Sequence, residues 1–277
     1  MRPRPAVRRA LSVLTGVLLT AAAAGCDGGA AEPAPAPIAS AVSAPPTVDA
    51  RAALAAVAAL AEDRRYAAVY TLDTVGRPQR QVVATAAADG SWRVDIPGGA
   101  LGGTADVSIV QIDAGVFQCS LPSATNPAAP TCVKVADPDE RVPARYDPEV
   151  QRVLHDWLAV FTDRTAGLSV SVTTPLEGVQ GTCYAVESIS AALRAPFDVG
   201  IYCYAPDGLP TGARVAFGEL RLAGAPAAAP PSVDLPGAVV GGDPMGMASP
   251  SPGPVDEDTG EPTGAPTGGA PSSPATP

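Results

Sequence analysis

What most constrains this chain is where it can build a core. Residues 27–47 and 224–277 are dominated by Pro, Gly, Ala, Ser and Thr. Such stretches lack the large apolar side chains needed to offset the entropy of ordering a chain. The core-forming residues lie between positions 48 and 236, a length suited to one domain. The expected organisation is a leader over 1–25, a disordered Pro/Ala tether over 26–47, a folded domain over 48–236 and a disordered tail over 237–277. The tail carries Asp256, Glu257, Asp258 and Glu261 and reads as a solvated spacer.

The leader has three parts. Arg2, Arg4, Arg8 and Arg9 make a basic start, residues 10–24 are uncharged, and Ala23, Ala24 and Gly25 precede Cys26. The uncharged run is shorter than the roughly 20 residues a helix needs to cross a bilayer. It therefore reads as a signal peptide. The end of the leader resembles the lipobox of bacterial lipoproteins, with Ala23 where Leu is usual. That resemblance implies cleavage before Cys26 and a diacylglycerol on its sulfur, with palmitate-type chains. The mature protein would then sit on the outer face of the cell membrane, held by at least two acyl chains.

Four further cysteines fall in the domain: Cys119, Cys132, Cys183 and Cys203. An exported chain meets an oxidising compartment, so pairing is the default. Of the three possible connectivities, local pairing is simplest: Cys119 with Cys132 and Cys183 with Cys203, each joining two strand-like runs. A metal site is disfavoured by the lack of a C-x-x-C pair and by a single histidine. No cofactor is expected. The formal net charge of −10 and the single lysine, Lys134, argue against a nucleic-acid partner. They also argue against electrostatic attraction to anionic lipid. The Ala, Pro and Arg-over-Lys usage suggests a GC-rich, actinobacterial coding sequence.

The domain begins with an alanine-rich helix capped by Asp49, with Leu54, Val57, Leu60 and Ala61 on one face and Arg64 and Arg65 at its end. Strands are expected at 66–74, 81–87, 91–96, 107–112 and 116–121. Asp89-Gly90 and Asp113-Ala114-Gly115 supply turns, and 97–103 is a glycine-rich break. In the fourth strand Val110 and Ile112 are expected to face inward, Gln111 and Asp113 outward. A second helix follows, capped by Asp147 with Pro148 in its first turn. Its apolar stripe is Val150, Val153, Leu154, Trp157, Leu158 and Phe161. Gln151, Arg152, His155, Asp156 and Asp163 form its polar face. Strands resume at 168–174, 182–187, 197–204 and 214–223, with a turn at Asp207-Gly208. This order predicts an α+β fold: a curved antiparallel sheet, or half-barrel, covered on one face by helices.

No constellation for catalysis emerges. His155 reads as a solvated surface residue, and there is no G-x-S-x-G elbow. Asp137, Asp139 and Glu140 read as a solvated turn. Gly98-Gly99 and Gly102-Gly103 lack the Lys-Ser/Thr of a phosphate loop and read as a flexible loop at the mouth of the sheet.

The whole resembles the LolA-like superfamily, and within it the actinobacterial LppX/LprG-type lipoproteins. The likeness rests on the lipobox, the tether, the N-terminal helix and the hairpins interrupted by helices. It also rests on Tyr204-Ala205-Pro206-Asp207-Gly208, Gly218-Glu219-Leu220-Arg221-Leu222 and the exit over 232–236. It covers residues 48–236. It implies a LolA-like half-barrel with helices as a lid over an apolar cavity, in which Val110, Ile112, Leu154, Trp157, Leu158 and Phe161 line the pocket. The function so implied is non-enzymatic: a membrane-anchored lipoprotein that binds or carries a lipid. The alternative is a surface scaffold or sensor module with a packed core.

Overall fold

The structure is a computed structural model that describes residues 49–249, apart from Thr125, Asp139 and 190–196. The leader, Cys26, the tether and the acidic end of the tail lie outside the described residues. Helix α1 (Ala50–Asp63) starts where expected, with the Arg51 N–H donating to Asp49 Oδ1 at 3.0 Å. Six strands follow: β1 (Tyr66–Asp73), β2 (Arg80–Ala86), β3 (Trp92–Ala100), β4 (Ala105–Ile112), β5 (Gly115–Ser120) and β6 (Thr131–Ala136). A helical segment then runs through a π-turn at Arg152–Asp156 into α2 (Trp157–Thr162). The second set of strands is β7 (Leu168–Thr173), β8 (Thr182–Ser188), β9 (Gly200–Tyr204), β10 (Pro210–Val215) and β11 (Gly218–Leu222), with a two-residue β12 (Ala238–Val239) after it.

These strands form one open sheet in the order β12-β6-β5-β4-β3-β2-β1-β11-β10-β9-β8-β7. Two antiparallel meanders meet where β1 pairs with β11, and β12 adds a parallel edge to β6. Both helices lie on one face. His155 stacks on Trp92 of β3, while Trp157 Nε1 donates to Asp198, just before β9, at 3.0 Å. Strands β3 and β9 are five steps apart, roughly 24 Å in a flat sheet. Side chains only two residues apart on the helix reach both, so the sheet bends around it.

The strand β3 carries on through Pro97, Gly98 and Gly99 to Ala100, with a register shift against β4, so the expected glycine break is a kinked strand end. On α1 the buried residues are Leu54, Ala58 and Ala61, whereas Leu60 is half exposed, because the small alanine face is the one that packs. The Arg51 guanidinium donates to the carbonyls of Phe161 and Asp163, capping α2 from α1. The β9–β10 turn at Asp207-Gly208 closes on the end of α1. A Cβ at Gly208 would lie 2.5 Å from backbone atoms of Leu60 and Ala61, and its φ of +85° also favours glycine. Arg64 and Asp207 pair beside it at 3.0 Å.

Alternation along the strands sends Tyr66, Tyr70, Val94, Val107, Ile109, Tyr184 and Tyr202 to the helix face. The reverse face carries two smaller apolar clusters, each built on a disulfide. Cys119–Cys132 bridges directly opposed residues of β5 and β6, and Cys183–Cys203 does the same for β8 and β9. Leu176 and Val179 cover the second bridge, and Val233 and Leu235 cover the first.

That covering corrects the expected domain end. The chain does not leave the fold at Pro236. Ala227 exchanges hydrogen bonds with Ala67, and the carbonyls of Pro230 and Pro231 accept from the N–H groups of Ala88 and Asp89. The segment then passes the β6 edge as β12 and returns on the helix face, where Met245 and Met247 join the main core. Gln118, 2% exposed, anchors this strap. Its Nε2 donates to Met245 O and Tyr146 O at 3.0 Å each, and its Oε1 accepts from Met245 N–H at 2.6 Å.

Candidate functional site

The space expected to be a cavity, between α2 and the sheet, is filled at its centre. Leu154, Trp157, Leu158 and Phe161 are buried, and Phe161 meets Tyr202 and Phe197 edge to face. A void of only about 10 Å³ remains there, beside Tyr70, Val153 and Tyr202. Val110 and Ile112 are not on this face at all. They pack on the reverse face with Phe117, Cys119 and Val233. Apolar residues occur on both parities of β4 because both faces of the sheet are covered there, so alternation alone assigned the wrong face. Gln111 is the inward residue instead, accepting from Trp92 Nε1 at 3.0 Å.

The polar face of the second helix also differs from expectation. The π-turn inserts a residue and turns polar groups inward. Gln151 is fully buried and donates to Asp147 Oδ1 at 2.6 Å; Asp147 also caps the turn through Glu149 N–H at 2.8 Å. Arg152 pairs with Asp147 at 2.6 Å and reaches Glu149 and Asp198 at 3.3 and 3.6 Å. His155 is not solvated. It lies flat against Trp92, ring centroids 4.5 Å apart, with Nε2 enclosed and unpartnered. Burial, helped by the Arg65 charge, pushes its pKa down to about 3. Burial and the neighbouring Asp147 push Asp156 up to about 6, against the pull of Arg141 and Arg152.

A cavity of about 940 Å³ opens at one end of the sheet. It forms where the end of β1, the β1–β2 turn, the end of β3, the β10–β11 turn, the approach to the π-turn and the strap converge. Its apolar wall is Leu72, Ile96, Val150, Val215, Phe217 and Met247. Its rim is charged: Arg77, Arg80 and Arg214 with Asp73, Asp147, Glu149 and Glu219. The glycines of 98–103 line the mouth as expected, but they are tied to their surroundings. Leu101 and Gly102 N–H groups donate to Gly246 O and Met247 O, at 2.9 Å each. Of the residues expected to line a pocket, none borders this cavity; Leu154 and Leu158 border a smaller one of about 280 Å³ beside His155 and Arg65. The residues that do build the large cavity come from segment ends scattered over the chain. The one sequence signal was Met247, a large apolar side chain in a stretch rich in Pro, Gly and Ala.

Apolar walls with a few convergent charged groups, in a volume within the usual 300–1,000 Å³ or so, suit a small amphiphilic ligand. No model of a known protein family and no curated protein matches the chain.

Proposed function

We propose that this protein is an exported lipoprotein, held by acylated Cys26 on the outer face of the cell membrane, whose domain binds an amphiphile without catalysis. The observation that carries the reading is the cavity of about 940 Å³, apolar on its walls and charged at its rim. The bent open sheet with helices on one face agrees with a LolA-like, LppX/LprG-type architecture. The two disulfides fit an oxidising compartment. In this reading the ligand enters at the end of the sheet rather than beneath α2.

The packed space under α2 favours a second reading, a surface scaffold or sensor whose core takes no ligand. Native extraction of the full chain followed by lipid mass spectrometry separates the two. The amphiphile reading expects a co-extracted lipid in about equimolar amount and loss of the protein from membranes in a Cys26→Ala variant. A domain that reaches the membrane but never carries or takes up a lipid supports the scaffold.

A further inference from the structure

The rim of the large cavity is unevenly neutralised. Each of its carboxylates has a cationic partner: Asp73 with Arg221, Asp147 and Glu149 with Arg152, and Glu219 with Arg214 at 2.5 Å. Arg77 and Arg80 have no ion pair among the described residues. Arg80 Nη1 donates to Pro97 O and Gly98 O at 2.8 and 3.0 Å, and its Nη2 to Thr74 Oγ1 at 3.1 Å. Its Nε is enclosed with no partner. Arg77 Nη2 donates to Gly102 O at 2.8 Å.

The glycines of the mouth make room for this pair. A Cβ at Gly103 would lie 1.6 Å from Arg77 Nη1, and one at Gly98 3.1 Å from Arg80 Nη1. Both glycines have positive φ, so the backbone there is shaped to lie against the guanidinium groups. Asp106 accepts from Gly98 N–H at 2.7 Å and favours the charged Arg80 from beyond ion-pair distance. Burial and the adjacent Arg77 charge act the other way and hold Arg80 below its ordinary pKa. Two like charges side by side, one half desolvated and fixed by neutral carbonyls, make a costly arrangement that an anion would relieve.

We propose that Arg77 and Arg80 hold a phosphate-type anion at the mouth of the cavity. Arg77, tied only through Nη2 to Gly102 O, can present a guanidinium edge to phosphate oxygens, while Arg80, its Nη1 committed to carbonyls, adds its charge and the remaining Nη2 N–H; together they suit a charged ester better than a lone carboxylate. The group is either the headgroup of a bound lipid, whose chain follows the Phe217 and Met247 wall, or free phosphate. The headgroup form rests on the amphiphile reading above; the anion site itself does not.

The test is calorimetry on the full mature chain in phosphate-free buffer, with three probes. These are inorganic phosphate, a short-chain phosphatidic acid and a phosphatidylcholine with the same chains, the lipids kept monomeric. Phosphatidic acid should bind at least about tenfold tighter than phosphatidylcholine, and Arg77→Gln/Arg80→Gln should abolish that preference. Arg164→Gln, a control for net charge on an exposed turn, should retain it. Because Arg80 also ties the loop, Arg77→Lys/Arg80→Lys is the second variant: charge without the fork, expected to keep part of the preference with an unchanged melting curve. Phosphate binding that the Gln variant loses, with neither lipid bound, upholds the anion site and removes the amphiphile reading. Equal affinity for both lipids with no phosphate binding, or a preference that survives in the folded Gln variant, overturns the proposal.

Discussion

His155 is held in its neutral form by the stack on Trp92 and by the enclosure of Nε2. Its folded pKa of about 3 lies below that of the unfolded chain, so the unfolded state takes up a proton first as pH falls. His155 therefore removes stability between about pH 6.5 and pH 3. Asp156 works in the opposite direction. Its folded pKa of about 6 means the folded state binds a proton that the unfolded state has released, so stability rises as pH falls from about 6 to 4. The two terms offset each other through that window. His155→Phe keeps the stacked ring and drops the titration. This variant should become more stable than the parent below pH 6, by roughly 2–4 kcal/mol near pH 4, with little change at pH 8. Thermal unfolding of both proteins across pH 4–8 measures it, and parallel curves would refute the assignment. Sequence alone placed His155 on a polar helix face. It could not show that the sheet folds round to cover that face.

At the scale of elements, hairpins were the most legible parts, because Asp-Gly turns and period-two alternation have local causes. The apolar stripe of the second helix was equally legible, and all six of its residues are buried. Its π-turn was not, since one inserted residue leaves the apolar spacing intact. The strap was the largest omission. Proline and alanine carry it mainly through backbone hydrogen bonds, as with Pro230 and Pro231, and backbone pairing leaves no hydropathy pattern. Among the described residues, Gln118, Ser91 (whose hydroxyl accepts from Val233 N–H at 3.0 Å), Val233, Leu235 and the two methionines help fix it by side chains. Gln118→Leu removes three hydrogen bonds and leaves partly buried backbone groups of Met245 and Tyr146 unpaired. The expected cost is about 1–3 kcal/mol, with residues 240–249 becoming sensitive to limited proteolysis before the rest of the domain unfolds. Unchanged proteolysis would show that the strap is held elsewhere. Because Gly246 and Met247 bond the loop at the cavity mouth, the same variant should also weaken ligand binding.

For the whole molecule, the parts divide by position in the sheet. The disulfides and the strap stabilise the reverse face, where few large apolar side chains are available. The helices fill the bent face, and the cavity is left at the end where segment termini meet. This arrangement was not legible in advance because the cavity belongs to no single element: Leu72 and Val215 sit at strand ends, Phe217 in a turn and Ile96 just before the kink of β3. In the proposed reading the net charge of −10 leaves attachment to an anionic membrane to an acyl group on Cys26, while the local Arg77–Arg80 pair remains able to select an anion. The function proposed for the domain turns on an amphiphile binding in the end cavity. That binding is tested most directly by titrating a fluorescent fatty-acyl probe into the full chain and a Phe217→Glu variant. The expected result is a single site per chain in the parent and at least about a tenfold loss of affinity in the variant, whose melting temperature stays within a few degrees. Equal probe binding by the two proteins, or none by the parent, would contradict it.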